Sequence, residues 1–257
     1  MIVKIDSHFQ KFAPNLKQMV EKFKTSGQLF GDGKRNTIKL FELEDIKVNI
    51  KSFKVPHLIN SVVYKCFRKS KARRSYEYAV RLLENGIGTP QPIAYFENAN
   101  WLGLKDSYYV SEHLDADLTY RELIHQPDYP DHENILRQFT RFTFNLHEKG
   151  IEFLDHSPGN TLIKKEENGQ YQFYLVDLNR MNFHTSMGFE QRMKNFSHLA
   201  AKKEMIVIMS EEYAKYYSKY SANQIFEEIL KKNIAFQNKY SRKKRIKNKI
   251  KFWKKKN

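Results

Sequence analysis

The chain has 257 residues, 40% of them hydrophobic and 29% charged, and carries a formal charge of +16. The apolar share supports one large domain or two modest ones with a real core, and ten Gly with seven Pro exclude a collagen-like or low-complexity chain. Cys66 is the sole cysteine, which excludes an internal disulfide framework and a multi-cysteine zinc site.

Met1–Gln10 is broken by charged and polar groups too early for a signal peptide. The stretch FGDGKRN (30–36) is turn chemistry, because Gly31 and Gly33 can adopt positive φ. TIKLFEL (37–43) alternates loosely, and IKVNIKS (46–52) alternates cleanly, with Ile46, Val48 and Ile50 on one face and Lys47, Asn49 and Lys51 on the other. Residues 70–85 place Ala72, Tyr76, Ala79 and Leu83 on one helical stripe that Gly86 closes. Pro90 and Pro92 prevent its continuation, and SYYVS (107–111) reads as extended. A second helix over 132–149 carries Ile135, Phe139, Phe142 and Leu146 and stops at Gly150. The irregular stretch 151–160 follows, then strands TLIK (161–164) and YQFYLV (171–176) joined through Asn168-Gly169, a strong hairpin signal. The pattern beyond is helical to about residue 236. The Tyr and Phe stripes are read as core. No apolar run, Met205–Met209 included, approaches the ~20 residues of a membrane span, so a soluble protein of a reducing compartment is expected.

Most of the charge is local. Residues 239–257 hold eleven Lys/Arg and no Asp/Glu, which leaves 34 basic against 29 acidic residues in the body. Within Arg242–Lys256, Ile246, Ile250 and Trp253 recur at helical spacing among Lys and Arg, the pattern of an interfacial helix on an anionic membrane surface. No specific nucleic-acid partner is expected, because the basic charge is not spread over a face of the fold.

Three side chains around the hairpin carry the chemistry. Asp155 and Asn160 precede it as D-x-x-x-x-N, and Asp177 follows it. An antiparallel hairpin brings its open ends together, so Asn160 and Asp177 are expected as neighbours able to hold Mg²⁺. Asp155 in the loop is placed to accept a proton from an attacking hydroxyl. Lys51 in VNIK (48–51) resembles a strand lysine that pairs with phosphates, and Lys54 is a second candidate. Glu77 sits on the flank of its helix, a position that fits equally an ion pair with the sheet lysine or a solvated face. The Gly31-x-Gly33 turn offers backbone N–H groups to phosphates. His147 reads as a satisfied histidine near a helix end, and Cys66 has no partner arranged for redox chemistry.

On KRNTIKLF (34–41), VNIKSFKVP (48–56), FRKSKARRSYEYAVRLLENGIGTPQPIAYFE (67–97), SYYVSE (107–112), LHEKGIEFLDHSPGNTLI (146–163) and FYLVDLNRMNF (173–183), the chain resembles the bacterial lipopolysaccharide core kinases of the Kdo/WaaP type. The resemblance implies an α+β, bilobal protein-kinase-like fold: a small antiparallel-sheet N-lobe with one αC-type helix (1–112), a mainly helical C-lobe (113–238), and a basic helix or tail (239–257). It also implies an ATP- and Mg²⁺-dependent kinase of a Kdo or heptose hydroxyl in the lipopolysaccharide inner core, peripheral on the cytoplasmic face of the inner membrane. By the same resemblance Asp155 is the base, Asn160 and Asp177 hold metal, Lys51 contacts the phosphates, Glu77 holds Lys51, and Tyr109, Val110, Ser111 and Glu112 form the adenine-side hinge. Two departures stand out. Phe153 replaces the histidine of the kinase H-x-D loop, and Asp177-Leu178-Asn179 replaces D-F-G. They argue against a protein substrate and leave room for an inactive kinase-like membrane adaptor; a small-molecule phosphotransferase of the aminoglycoside or choline kinase type, with a soluble acceptor, is the other alternative.

Overall fold

The structure is a computed structural model that describes residues 1–31, 36–53, 69–100, 103–199 and 202–256, with side chains as far as Ile246. Gly33, Lys54 and Cys66 lie outside the described residues. The chain forms two compact units, Met1–Ala116 with Tyr174–Met181, and Asp117–Phe173 with Asn182–Asn257.

The first unit is built on a six-stranded sheet in the order β1-β5-β6-β4-β3-β2. Its strands are β1 (Ile2–Ile5), β2 (Gln28–Phe30), β3 (Thr37–Leu43), β4 (Ile46–Phe53), β5 (Pro92–Asn100) and β6 (Gly103–Glu112). Strand alternation divides their side chains between two faces. Val48 and Ile50 of β4, Phe96 of β5 and Val110 of β6 pack with Phe9, Phe12, Leu16 and Val20. The last two belong to α1 (Ala13–Glu21), which follows a short 3₁₀ turn. Phe53 and Tyr95 point the other way, onto Ala72 and Tyr76 of α2 (Lys71–Glu84). Lys51 shares that second face by strand alternation. The single helix expected in this region is therefore joined by a second, α1, which closes the opposite face.

α2 starts at Ser70, whose side chain accepts the Arg73 amide, and ends before Gly86 at φ 66. Residues 174–181 are held by backbone and side-chain bonds: Leu175 N–H donates to the Gly88 carbonyl, and Thr89 Oγ1 donates to that of Leu175. Buried Arg74 of α2 donates to the Asn179 carbonyl at 2.6 Å.

In the second unit, α3 (Tyr120–His125), α4 (His132–Glu148), α5 (Phe189–Phe196), α6 (Lys203–Tyr216) and α7 (Ala222–Lys256) enclose a core centred on Phe139. Strands β7 (Leu118–Thr119), β9 (Thr161–Lys165) and β10 (Tyr171–Leu175) form a small sheet in the order β10-β9-β7. β8 (Ile151–Phe153) pairs with β11 (Met181–Phe183). Asn168 (φ 61) and Gly169 (φ 71) make the hairpin turn, and the Gly169 carbonyl accepts from Asn134 and Gln138 of α4. α7 is one 35-residue helix whose first turns bury Ile225 and Ile229. The basic tail is the continuation of that helix, exposed from Gln237 to Ile246. Among the described residues no helix is long and apolar enough to cross a membrane.

Candidate active site

In the first unit the strand lysine finds an acid far away in sequence. Lys51 Nζ lies 2.6 Å from Asp177 Oδ1 across 126 positions, with the lysine side chain 13% exposed. Asn179 Nδ2 donates to the same oxygen at 2.7 Å. Asp177 holds φ 59, a left-handed conformation that a non-glycine residue adopts at some cost and that clusters at functional positions. Lys51 therefore reaches an acidic candidate of the site, while Lys54 lies outside the described residues.

Glu77 has other partners. It accepts from Lys69 Nζ at 2.8 Å and from Arg73 Nε at 2.9 Å, so the expected Lys51–Glu77 ion pair gives way to Lys51–Asp177 and a local Glu77 cluster. The reason is reach, because Arg73 stands one helical turn before Glu77 on the same face. Burial opposes the Glu77 carboxylate, but the hydrogen bonds from Lys69 and Arg73 outweigh it and hold the pKa below the usual range.

The expected hinge residues Tyr109, Val110, Ser111 and Glu112 lie in β6, an interior strand paired with both β5 and β4. The Glu112 amide donates to the Gln91 carbonyl and the His113 amide to that of Lys47. The sheet uses these groups, and the irregular connection starts only after Glu112. Gly31 (φ 80) follows β2, and Phe30 before it meets the His113 ring edge-on at 5.2 Å. Neither Phe30 nor His113 stood out in the sequence, where nothing joins residues so far apart.

In the second unit, the loop after β8 folds on itself. Asn160 Nδ2 donates to the Asp155 carbonyl at 2.8 Å, Ser157 N–H donates to the same carbonyl, and Asn160 N–H donates to that of Ser157. The side-chain bond fixes which end of the Asn160 amide is nitrogen and leaves Oδ1 as its oxygen donor. A carboxylate oxygen, as on Asp177, and an amide oxygen, as on Asn160, are each by their chemistry hard donors of the kind Mg²⁺ takes. No group of three or more His, Cys, Asp or Glu able to hold a metal occurs among the described residues.

Phe153, which stands where the kinase H-x-D pattern carries its histidine, is fully buried, and its carbonyl accepts from Asn195 Nδ2 at 2.9 Å. Its ring lies 5.3 Å from that of His156, which is also buried. His147 bonds Tyr213 and Asn195, as a satisfied histidine should. Burial pushes the pKa of His147 down to about 3 and that of His156 to about 4, so both are neutral imidazoles. Glu152, buried beside the loop, accepts from Asn182, His184 and Gln191. Burial raises its pKa, but those three bonds lower it further, to below the usual range. The sequence carried little signal for Asn195 or Glu152, whose partners lie 30 or more positions away.

The fold is kinase-like. The lipopolysaccharide kinase (Kdo/WaaP) family model matches residues 33–226, and the chain belongs to that family. No curated protein matches the chain. Among solved structures, one of WaaP in complex with acyl carrier protein is similar with a TM-score of 0.63 and 15% identity, over 95% of this chain and 99% of that one. A crystal structure of WbdD is similar with a TM-score of 0.48 and 15% identity, over 80% of this chain and 45% of that one.

Proposed function

We propose that the protein transfers the γ-phosphoryl group of ATP to a Kdo or heptose hydroxyl of the lipopolysaccharide inner core, at the membrane surface. The observation that supports this reading is the Lys51–Asp177 ion pair, a strand ammonium beside the carboxylate that the reading takes as a metal ligand. In this reading Lys51 contacts the phosphates and Asp177 and Asn160 hold Mg²⁺, which neutralises charge on the phosphate oxygens when bound. Asp155 accepts the proton of the acceptor hydroxyl, its backbone oriented by the Asn160 side chain. The Gly31 turn covers the phosphates and the end of β6 borders the base. α7 adds an exposed basic helix carrying Ile234, Tyr240 and Ile246 at the surface, chemistry suited to an anionic leaflet. Acyl carrier protein, present with WaaP in the similar structure, is a candidate protein partner.

The test is mass spectrometry of purified lipopolysaccharide core after incubation with the protein, ATP and Mg²⁺. A gain of one phosphate is expected, lost with Asp155→Asn. Transfer to aminoglycosides or choline but not to core would reassign the acceptor to a soluble small molecule. Absence of nucleotide binding with and without Mg²⁺ would leave an adaptor.

A further inference from the structure

The Asp155 loop is anchored by a buried chain of polar side chains in which each atom has one consistent role. Asn195 Nδ2 donates to the Phe153 carbonyl at 2.9 Å, which makes Oδ1 the acceptor on its other side. That oxygen faces His147 Nε2 at 3.2 Å and His156 Nδ1 at 3.5 Å, so both of those nitrogens carry hydrogen. A flipped amide would set its NH₂ against two ring nitrogens and its oxygen against a carbonyl.

The remaining ring nitrogens are then bare acceptors. His147 Nδ1 takes the Tyr213 hydroxyl at 2.9 Å, and Tyr213 in turn accepts from Arg192 at 3.4 Å. Arg192 also donates to Glu148 at 2.6 Å, which ends the chain at a half-exposed carboxylate. In the other direction His156 Nε2 takes the Thr161 hydroxyl at 3.3 Å. Thr161 directly follows Asn160, and Phe153 stands two residues before Asp155. The network therefore grips both ends of the segment that holds Asp155 and Asn160, with His156 clamped in its middle. His147, His156, Thr161 and Tyr213 are all essentially inaccessible to water, and a buried, fully satisfied network of this kind rigidifies what it holds.

We propose that Asn195 and His156 are positioning residues for the Asp155 loop, anchoring it through the Phe153 carbonyl and Thr161. The inference rests on the reading of Asp155 as the base. Both side chains are buried and act by holding the backbone from which Asp155 projects. A displacement of about 1 Å at such a site lowers rate by about 10²-fold.

Two measurements test this. Nitrogen-15 NMR of the intact, histidine-labelled protein near neutral pH is expected to show the Nε2–H tautomer at His147 and the Nδ1–H tautomer at His156. The reverse tautomer at His156 overturns the network. In kinetics with lipopolysaccharide core, Asn195→Asp keeps an oxygen for both imidazoles but loses the donor to Phe153. Its kcat is expected to fall about 10²-fold while the KM for ATP stays within about twofold, since the defect lies in orientation and not in nucleotide binding. His156→Phe preserves ring packing, keeps the test alive if Asn195→Asp does not fold, and is expected to lose about tenfold in kcat. Wild-type kcat in these variants, beside an inactive Asp155→Ala, refutes the positioning role and spares the base. An active Asp155→Ala removes the base itself.

Discussion

Asp177 keeps a left-handed backbone (φ 59) while its carboxylate takes the Lys51 ammonium and the Asn179 amide. Aspartate and asparagine tolerate that conformation better than other non-glycine residues, because their short side chains bond locally. Asp177→Asn should therefore preserve the backbone and remove only the charge. Titration calorimetry is expected to show Mg²⁺-dependent ATP binding weakened by about tenfold or more; unchanged binding would exclude Asp177 as a metal ligand. The two buried histidines make a separate expectation about pH. Unfolded imidazoles titrate near ~6.5, whereas His147 and His156 fold with values of about 3 and about 4. Below about pH 6.5 the unfolded chain binds more protons than the folded one, so stability is complete above that pH and drains away as pH falls toward about 4. Urea unfolding is expected to show a loss of about 1–2 kcal/mol per histidine between pH 7 and pH 5. His156→Phe should reduce the slope, and a flat profile would mean the imidazoles are not buried neutral. His147 was legible as a structural residue from its place near a helix end, but its partners Tyr213 and Asn195 were not, because 66 and 48 positions separate them from it.

α2, α4 and the β9–β10 hairpin were readable because their signals are local: an apolar stripe at helical spacing, a cap, a stopping glycine, and an Asn-Gly turn. At Gly169 the positive φ of 71 lies in open space, where an added Cβ would meet nothing within 4 Å. Gly169→Ala should cost only the backbone strain, about 1 kcal/mol in thermal or urea unfolding. Gly150 differs, because a Cβ there would run into the His184 carbonyl, whose own N–H donates to Gly150 O. Gly150→Ala is therefore expected to destabilise more than Gly169→Ala; equal losses would mean that the segment at His184 is free to move aside. α1 was not expected from the sequence; its Leu16 and Val20, with Phe9 and Phe12 just before it, cover the Val48–Ile50 face of the sheet, opposite to that of α2. β8 and β11 are three residues each, too short for any pattern to stand out, and exist because they pair with each other.

At the scale of the molecule, the family places a phosphotransferase on this chain, and the basic C-terminal half of α7 adds a surface that the core does not need. The described residues from Gln237 to Ile246 are exposed, so deletion of residues 239–257 should leave the melting temperature unchanged. Binding to anionic phospholipid vesicles should fall sharply, and the intact protein should release from them as salt is raised, since each Lys or Arg near the surface contributes ~1 kcal/mol and is screened within a Debye length. Vesicle binding that survives the deletion would move the membrane contact elsewhere on the protein.

Periodicity and turn chemistry were enough to mark the helix before Gly86, the helix before the loop, the hairpin and the candidate groups Lys51, Asp155, Asn160 and Asp177, because each depends on neighbours in the chain or on a spaced motif, while the α+β, kinase-like class came from the family resemblance. The choice of ion-pair partners was not contained there. Lys51 turned to Asp177 and Glu77 to Lys69 and Arg73, outcomes set by side-chain reach across a folded sheet. The anchoring of the loop at Phe153 likewise came from Asn195, 42 positions away, because a buried carbonyl must find a donor and folding alone decides which one is near.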